Sequence, residues 1–149
     1  MRKIDMIVVH CSGSRCNHRY TLEQLRHDHV VVNGWRDIGY HFYITQEGVV
    51  YPCRPVERMG AHALGYNAHS IGICYEGGVD HSGNPKDTRT MQQRSALVAL
   101  LRDLKVRFPK SFIRGHCEMP GATPKDCPCF KPSKEYAYLD KSPLIGKKK

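Results

Sequence analysis

The chain has 149 residues, a formal net charge of +9, 40% hydrophobic residues and 25% charged ones. That length suits one domain whose core needs no disulfide staples, and the composition is globular rather than disordered or fibrous. No run of about eighteen apolar residues exists, which excludes a transmembrane helix. The positive charge comes with no basic helix and no aromatic–basic interleaving, which argues against nucleic acid and leaves an anionic surface or plain solubility as its use.

The chain starts Met-Arg-Lys-Ile-Asp-Met-Ile-Val-Val-His. Asp5 interrupts it and no small-residue cleavage site follows, so it reads as a first strand rather than a signal peptide. The expectation is synthesis in a reducing cytoplasm, with the seven cysteines mostly free. The strand is expected over 6–9, ending at His10. Residues 12–20 are polar and loop-like. Thr21 and Gln24 make a capping box, with Tyr20 and Leu25 placed as a hydrophobic staple. Leu22, Leu25 and Val32 give the helix that follows an imperfect apolar face, and Gly34 ends it.

Two β-rich runs, 40–44 and 49–51, flank Gln46-Glu47-Gly48 and predict a hairpin whose first strand begins at Tyr40. A long connection over 52–65 leads to a strand at 70–75, closed by Gly77-Gly78. A polar loop spans 79–88. Thr90 and Gln93 form a second capping box, and Leu97, Leu100, Leu101, Leu104 and Phe108 recur at helical spacing until Pro109 stops them. Phe112 and Ile113 make a short last strand that delivers His116. The prolines and Gly121 make 120–128 a shaped loop rather than a helix. The lysine run 147–149 reads as a solvated end. The order strand, helix, hairpin, strand, helix, strand predicts a single-domain α/β fold, a mixed central β-sheet flanked by α-helices.

His10 and His116 each stand just past a strand, where open α/β sheets present their ligand crevice. With Cys127 they form a two-histidine, one-cysteine set. Imidazole and thiolate suit zinc, and three protein ligands leave a fourth position for water or substrate. A structural four-ligand site that adds Cys117 or Cys129 is the competing reading, although no C-x2-C pair is present. Glu118 could orient a ligand histidine through its second nitrogen or be a surface carboxylate. Beside a metal, Lys125 could hold charge developing on a substrate oxygen, and Tyr40 could donate to that oxygen or steer the nucleophile. A solvated lysine and a packed tyrosine are the bland readings.

Val8-Val9-His10-Cys11-Ser12, Gly39-Tyr40-His41-Phe42, Gly60-Ala61-His62 with Gly65-Tyr66-Asn67, Ser70-Ile71-Gly72-Ile73, Gly115-His116 and Lys125-Asp126-Cys127-Pro128-Cys129-Phe130 follow one another in this order. Together they resemble the zinc-dependent N-acetylmuramoyl-L-alanine amidase family, which includes phage lysozyme-type amidases and peptidoglycan recognition proteins. The resemblance implies hydrolysis of the amide between N-acetylmuramic acid and L-alanine in peptidoglycan. It implies one zinc per chain on His10, His116 and Cys127, catalytic help from Tyr40 and Lys125, and a muropeptide groove lined by His62, Tyr66 and Asn67. Cys117 stands where relatives often carry arginine, and the 119–124 loop is long. The Lys-x-Cys spacing favours Cys127 over Cys129 as the ligand. The expected organisation is an amidase domain over 1–138 and a basic tail over 139–149, acting as a monomer. A cytoplasmic product whose substrate is the cell wall fits a phage or prophage endolysin released at lysis, or an effector with dedicated export. A module that binds muropeptides without cutting them, or a regulatory protein on the same fold, is the alternative.

Overall fold

Successive side chains of a strand point to opposite faces, and the first strand of this protein uses both. The structure is a computed structural model that describes residues 2–122 and 125–141. Its first strand, β1, is Met6–Cys11. Ile7 and Val9 enter the main apolar cluster, while His10 between Val9 and Cys11 turns to the other side. β2 (Ser14–Arg15) forms a small parallel ribbon with β6 (Gly78–Val79). The hairpin strands are β3 (Phe42–Ile44) and β4 (Val50–Pro52). Tyr40 therefore lies before the hairpin strand rather than opening it as expected. β5 (Ser70–Tyr75) matches its expected bounds, and β7 (Phe112–Gly115) carries the chain to His116. The main sheet has the order β4-β3-β5-β1-β7. β1 runs parallel to both neighbours, β3 runs parallel to β5, and only β3–β4 is antiparallel. The sheet is mixed, as expected.

One face is covered by α2 (Met91–Arg107), started by the Thr90–Gln93 capping box. Leu97, Leu101 and Leu104 are fully buried and pack with Ile7, Val9, Ile71, Ile73 and Ile113. Each such side chain contributes on the order of 1.5–3 kcal/mol. Pro109 lies just past the end of the helix. Two short helices then extend this layer, α3 (Pro132–Glu135) and α4 (Ala137–Lys141). Tyr136 and Leu139 are buried in the same cluster, and the Asp140 carboxylate accepts from the Ile113 N–H at 3.2 Å. The packed fold thus runs past residue 138. The expected lysine tail at 147–149 lies outside the described residues.

The other face carries a smaller cluster of Leu25, Ile38, Tyr43 and Cys74. Here α1 (Leu22–Arg26) begins on its Thr21–Gln24 capping box as expected. It then passes into a π-helical segment, His27–Val32. The wider turn takes Val32 off the apolar face, where it is 67% exposed. His29, not Val32, continues the inward side, because its Nδ1 accepts the N–H of Gly39 at 2.9 Å. Among the described residues no helix is long and apolar enough to cross a membrane.

Candidate active site

His10 reaches the site because strand alternation turns it away from α2, and it is almost fully buried. His116 follows Gly115, whose missing side chain lets the prolines at 128 and 132 close in on β7. Cys127 is brought back to β1 by the loop. Its carbonyl accepts from the Cys117 N–H at 2.6 Å, and its Sγ accepts from the Cys11 N–H at 3.2 Å. The Pro128 carbonyl accepts from the Tyr75 hydroxyl at 2.7 Å, which fixes the loop to β5.

One ligand atom from each of His10, His116 and Cys127 lies within 4.8 Å of the other two, and this is the one such group among the described residues. The His10 and His116 ring centroids are 4.7 Å apart, and His10 Nδ1 lies 3.9 Å from Cys127 Sγ. The other two candidate thiols have different partners. Cys129 donates to the Gly78 carbonyl at 3.2 Å and Cys117 to the Phe130 carbonyl at 3.7 Å.

These three groups lie on the wall of an open cavity of about 670 Å³ that Tyr40, His62, Tyr66 and Asn67 also line. The Tyr40 ring centroid is 5.1 Å from that of His10. His62 Nδ1 is 2.9 Å from His10 Nε2. Lys125 is exposed and does not line the cavity. The Glu118 carboxylate accepts from the Gly115 N–H at 2.7 Å and from the N–H and hydroxyl of Ser133. Its partners are therefore the turn that carries His116 and the start of α3, not an imidazole ring.

Burial sets the protonation of the site. It pushes His10 well below the usual histidine range, helped by His62 and His116, and it lowers His116 as well. It takes His62 down to about 3, with His41 adding to the effect. Near pH 7 these imidazoles are neutral and keep a lone pair, as a metal ligand must. Burial also raises the Tyr40 phenol well above its ordinary value, with the Cys74 and Cys127 sulfurs adding, so it remains a donor.

Sequence reasoning missed His29 and Trp35, which also line the cavity. His29 stacks 4.7 Å from Trp35 and 5.5 Å from Tyr40 by ring centroids. Its position four residues after Leu25 on a capped helix was the available signal.

A family model described as N-acetylmuramoyl-L-alanine amidase matches residues 1–130. The endolysin of Enterobacteria phage K11 is 40% identical over 129 residues, which cover 87% of this chain and 83% of that protein. The endolysin of Escherichia phage T7 is 37% identical over 126 residues, covering 85% and 81%. Among solved structures, N-acetylmuramoyl-L-alanine amidase LysC from Clostridium intestinale URNW is 30% identical, with a TM-score of 0.73 over 92% of this chain and 84% of that one.

Proposed function

This chain belongs to the N-acetylmuramoyl-L-alanine amidase family and is a peptidoglycan amidase, and we propose that it works with one zinc ion held by His10, His116 and Cys127. The observation that carries this reading is the convergence of two neutral imidazoles and a thiol on one cavity wall. Nitrogen and sulfur donors are the set zinc takes, and three of them leave a position open, as catalytic sites do. The residues present fit the ion.

When bound, zinc would polarise the scissile carbonyl and acidify a water molecule toward neutral pH. Tyr40 is the donor we assign to the carbonyl oxygen as negative charge grows there. Lys125, exposed on the loop that carries Cys127, is the cation that meets the same charge once substrate is bound. Charge developing in the transition state and absent from the ground state is what such groups stabilise, so they act on turnover more than on binding. Tyr66, Asn67 and the face of His62 form the wall against which the muropeptide lies. Glu118 acts by holding the His116 turn against α3.

We place the protein among lysins that act as monomers on the cell wall after release or dedicated export, in line with its phage endolysin relatives. Its positive charge would help to retain it on an anionic wall. The experiment is zinc content measured together with release of L-alanine amino termini from purified peptidoglycan, with and without chelator. One zinc per chain and chelator-sensitive release is the expected result. Zinc without release would turn the reading toward a binding module, and release that is indifferent to chelator would overturn the metal assignment.

A further inference from the structure

Both ring nitrogens of His62 are engaged by the protein itself. Nδ1 lies 2.9 Å from His10 Nε2, and Nε2 lies 3.2 Å from the Ser70 hydroxyl. The two rings meet edge-on, with centroids 5.0 Å apart and an 89° angle between planes. The His62 ring rests on β5 at a position where only glycine leaves room. A Cβ at Gly72 would fall 2.6 to 2.7 Å from three of its ring atoms. The backbone of His62 is held too, because its N–H and that of Ala63 both donate to the Asn67 side-chain oxygen at 2.9 Å. A histidine that only lined a groove for substrate would need none of these restraints.

His10 faces Cys127 with Nδ1, so Nδ1 is the nitrogen it offers to a metal and Nε2 is left to carry the ring proton. A ligand imidazole donates that proton to a neighbour, which sets its tautomer and aims its lone pair. We propose that His62 is a positioning residue that accepts the Nε2–H of His10, with Ser70 accepting in turn from His62 Nε2. The direction of both bonds follows from the first. If His10 donates to His62 Nδ1, the proton of His62 sits on Nε2 and points at the Ser70 oxygen. Gly72 and Asn67 then serve the metal site at one remove, by seating the ring and its backbone.

This inference rests on the zinc reading above and separates from it experimentally. Wild type and the variants His62→Phe, His62→Gln and Ser70→Ala are stripped of metal and titrated with zinc against a chromophoric chelator. The visible spectrum of the cobalt-substituted proteins and KM for a soluble muropeptide at saturating zinc are then recorded. His62→Phe keeps a ring but has no acceptor. It is expected to weaken zinc binding about 10- to 100-fold and to shift the cobalt spectrum, with KM little changed. His62→Gln, whose side-chain oxygen can accept, is expected to recover part of the affinity. A His62→Phe protein that binds zinc like wild type but has a raised KM would leave His62 a substrate contact alone and overturn the proposal. Should His62→Phe fail to fold, Ser70→Ala removes a single oxygen and carries the same test. Weaker zinc binding supports the relay, and unchanged zinc affinity overturns it. Wild type that binds no zinc would overturn the zinc reading and this inference together, and would be seen before any substitution is made.

Discussion

One added methyl group, Gly115→Ala, should loosen two of the three residues proposed to hold zinc at once. Gly115 has φ −94° and ψ 153°, an ordinary extended backbone that any residue adopts. Space is what requires glycine there. A Cβ would sit 2.6 Å from Pro132 Cδ, 3.0 Å from Pro128 Cδ and 3.1 Å from Pro132 Cγ. Carbon atoms in contact prefer about 3.5–4.0 Å, so roughly an ångström of movement is demanded, and proline rings have no rotamer that supplies it. Pro128 follows Cys127 and Gly115 precedes His116, so the displacement falls on the loop that carries Cys127 and on the turn that carries His116. Overpacking of this kind costs about 1–3 kcal/mol. The alanine returns about 0.4–1 kcal/mol by restricting the unfolded chain. The net destabilisation is centred on about 1.3 kcal/mol and reaches about 2.6 kcal/mol at most, and the central value lowers Tm by about 3–5 °C. Thermal unfolding in chelator measures the packing cost by itself, and a zinc titration against a competing chelator measures the effect on the site. Both should fall. A Gly115→Ala protein as stable as wild type and with the same zinc affinity would refute the argument that contact with the two prolines positions this site.

Lys125→Ala and Tyr40→Phe should each retain zinc while turnover falls about 100- to 1,000-fold; steady-state kinetics with metal analysis checks this, and wild-type turnover would remove the residue from the mechanism. Arg89→Ala should cost about 2–4 kcal/mol in urea unfolding, at or below the range for breaking a buried pair. The Arg89 side chain is fully buried, bonded to Asp87 and Glu135 and stacked 3.4 Å from the Phe130 ring centroid, but its two carboxylate partners are 23% and 36% exposed and can be rehydrated. Acidification should destabilise the metal-free protein. Burial lowers His41 to about 4 from 6.5, so between those values the unfolded chain binds more protons than the folded one and stability falls as pH falls. Between pH 7 and pH 5 His41 alone accounts for about 2 kcal/mol, and His62 acts in the same direction. Equal urea midpoints at the two pH values would show that these histidines are not held neutral by the fold.

Much of the scaffold was legible because the signals are local. Both capping boxes formed where Thr21–Gln24 and Thr90–Gln93 placed them, since a cap is decided within one turn. Ser70–Tyr75 formed with its expected bounds, because alternation and the glycines after it mark a strand without reference to anything distant. The π-helical turn at His27–Val32 was not legible. Helical periodicity assumes 3.6 residues per turn, and a local widening moves every later residue to a new face. α3 and α4 were missed as well. Each is a turn or so long, and they are held by Arg89, Ile113 and Lys105 from elsewhere in the chain rather than by their own propensity.

By itself the sequence determined the residue types available for chemistry, the strand that ends near His10, the helix that covers the sheet, and the family to which the order of motifs belongs. Only the tertiary structure decided which atoms meet. His10 and Cys127 are 117 positions apart and His10 and His62 are 52 apart. Which nitrogen of His10 faces the sulfur, and which faces a second histidine, depends on how β1 and β5 pair and on how the Cys127 loop is tied to Tyr75. Those contacts have no signature in local spacing, because they arise when distant segments close on one another and bury their polar groups together.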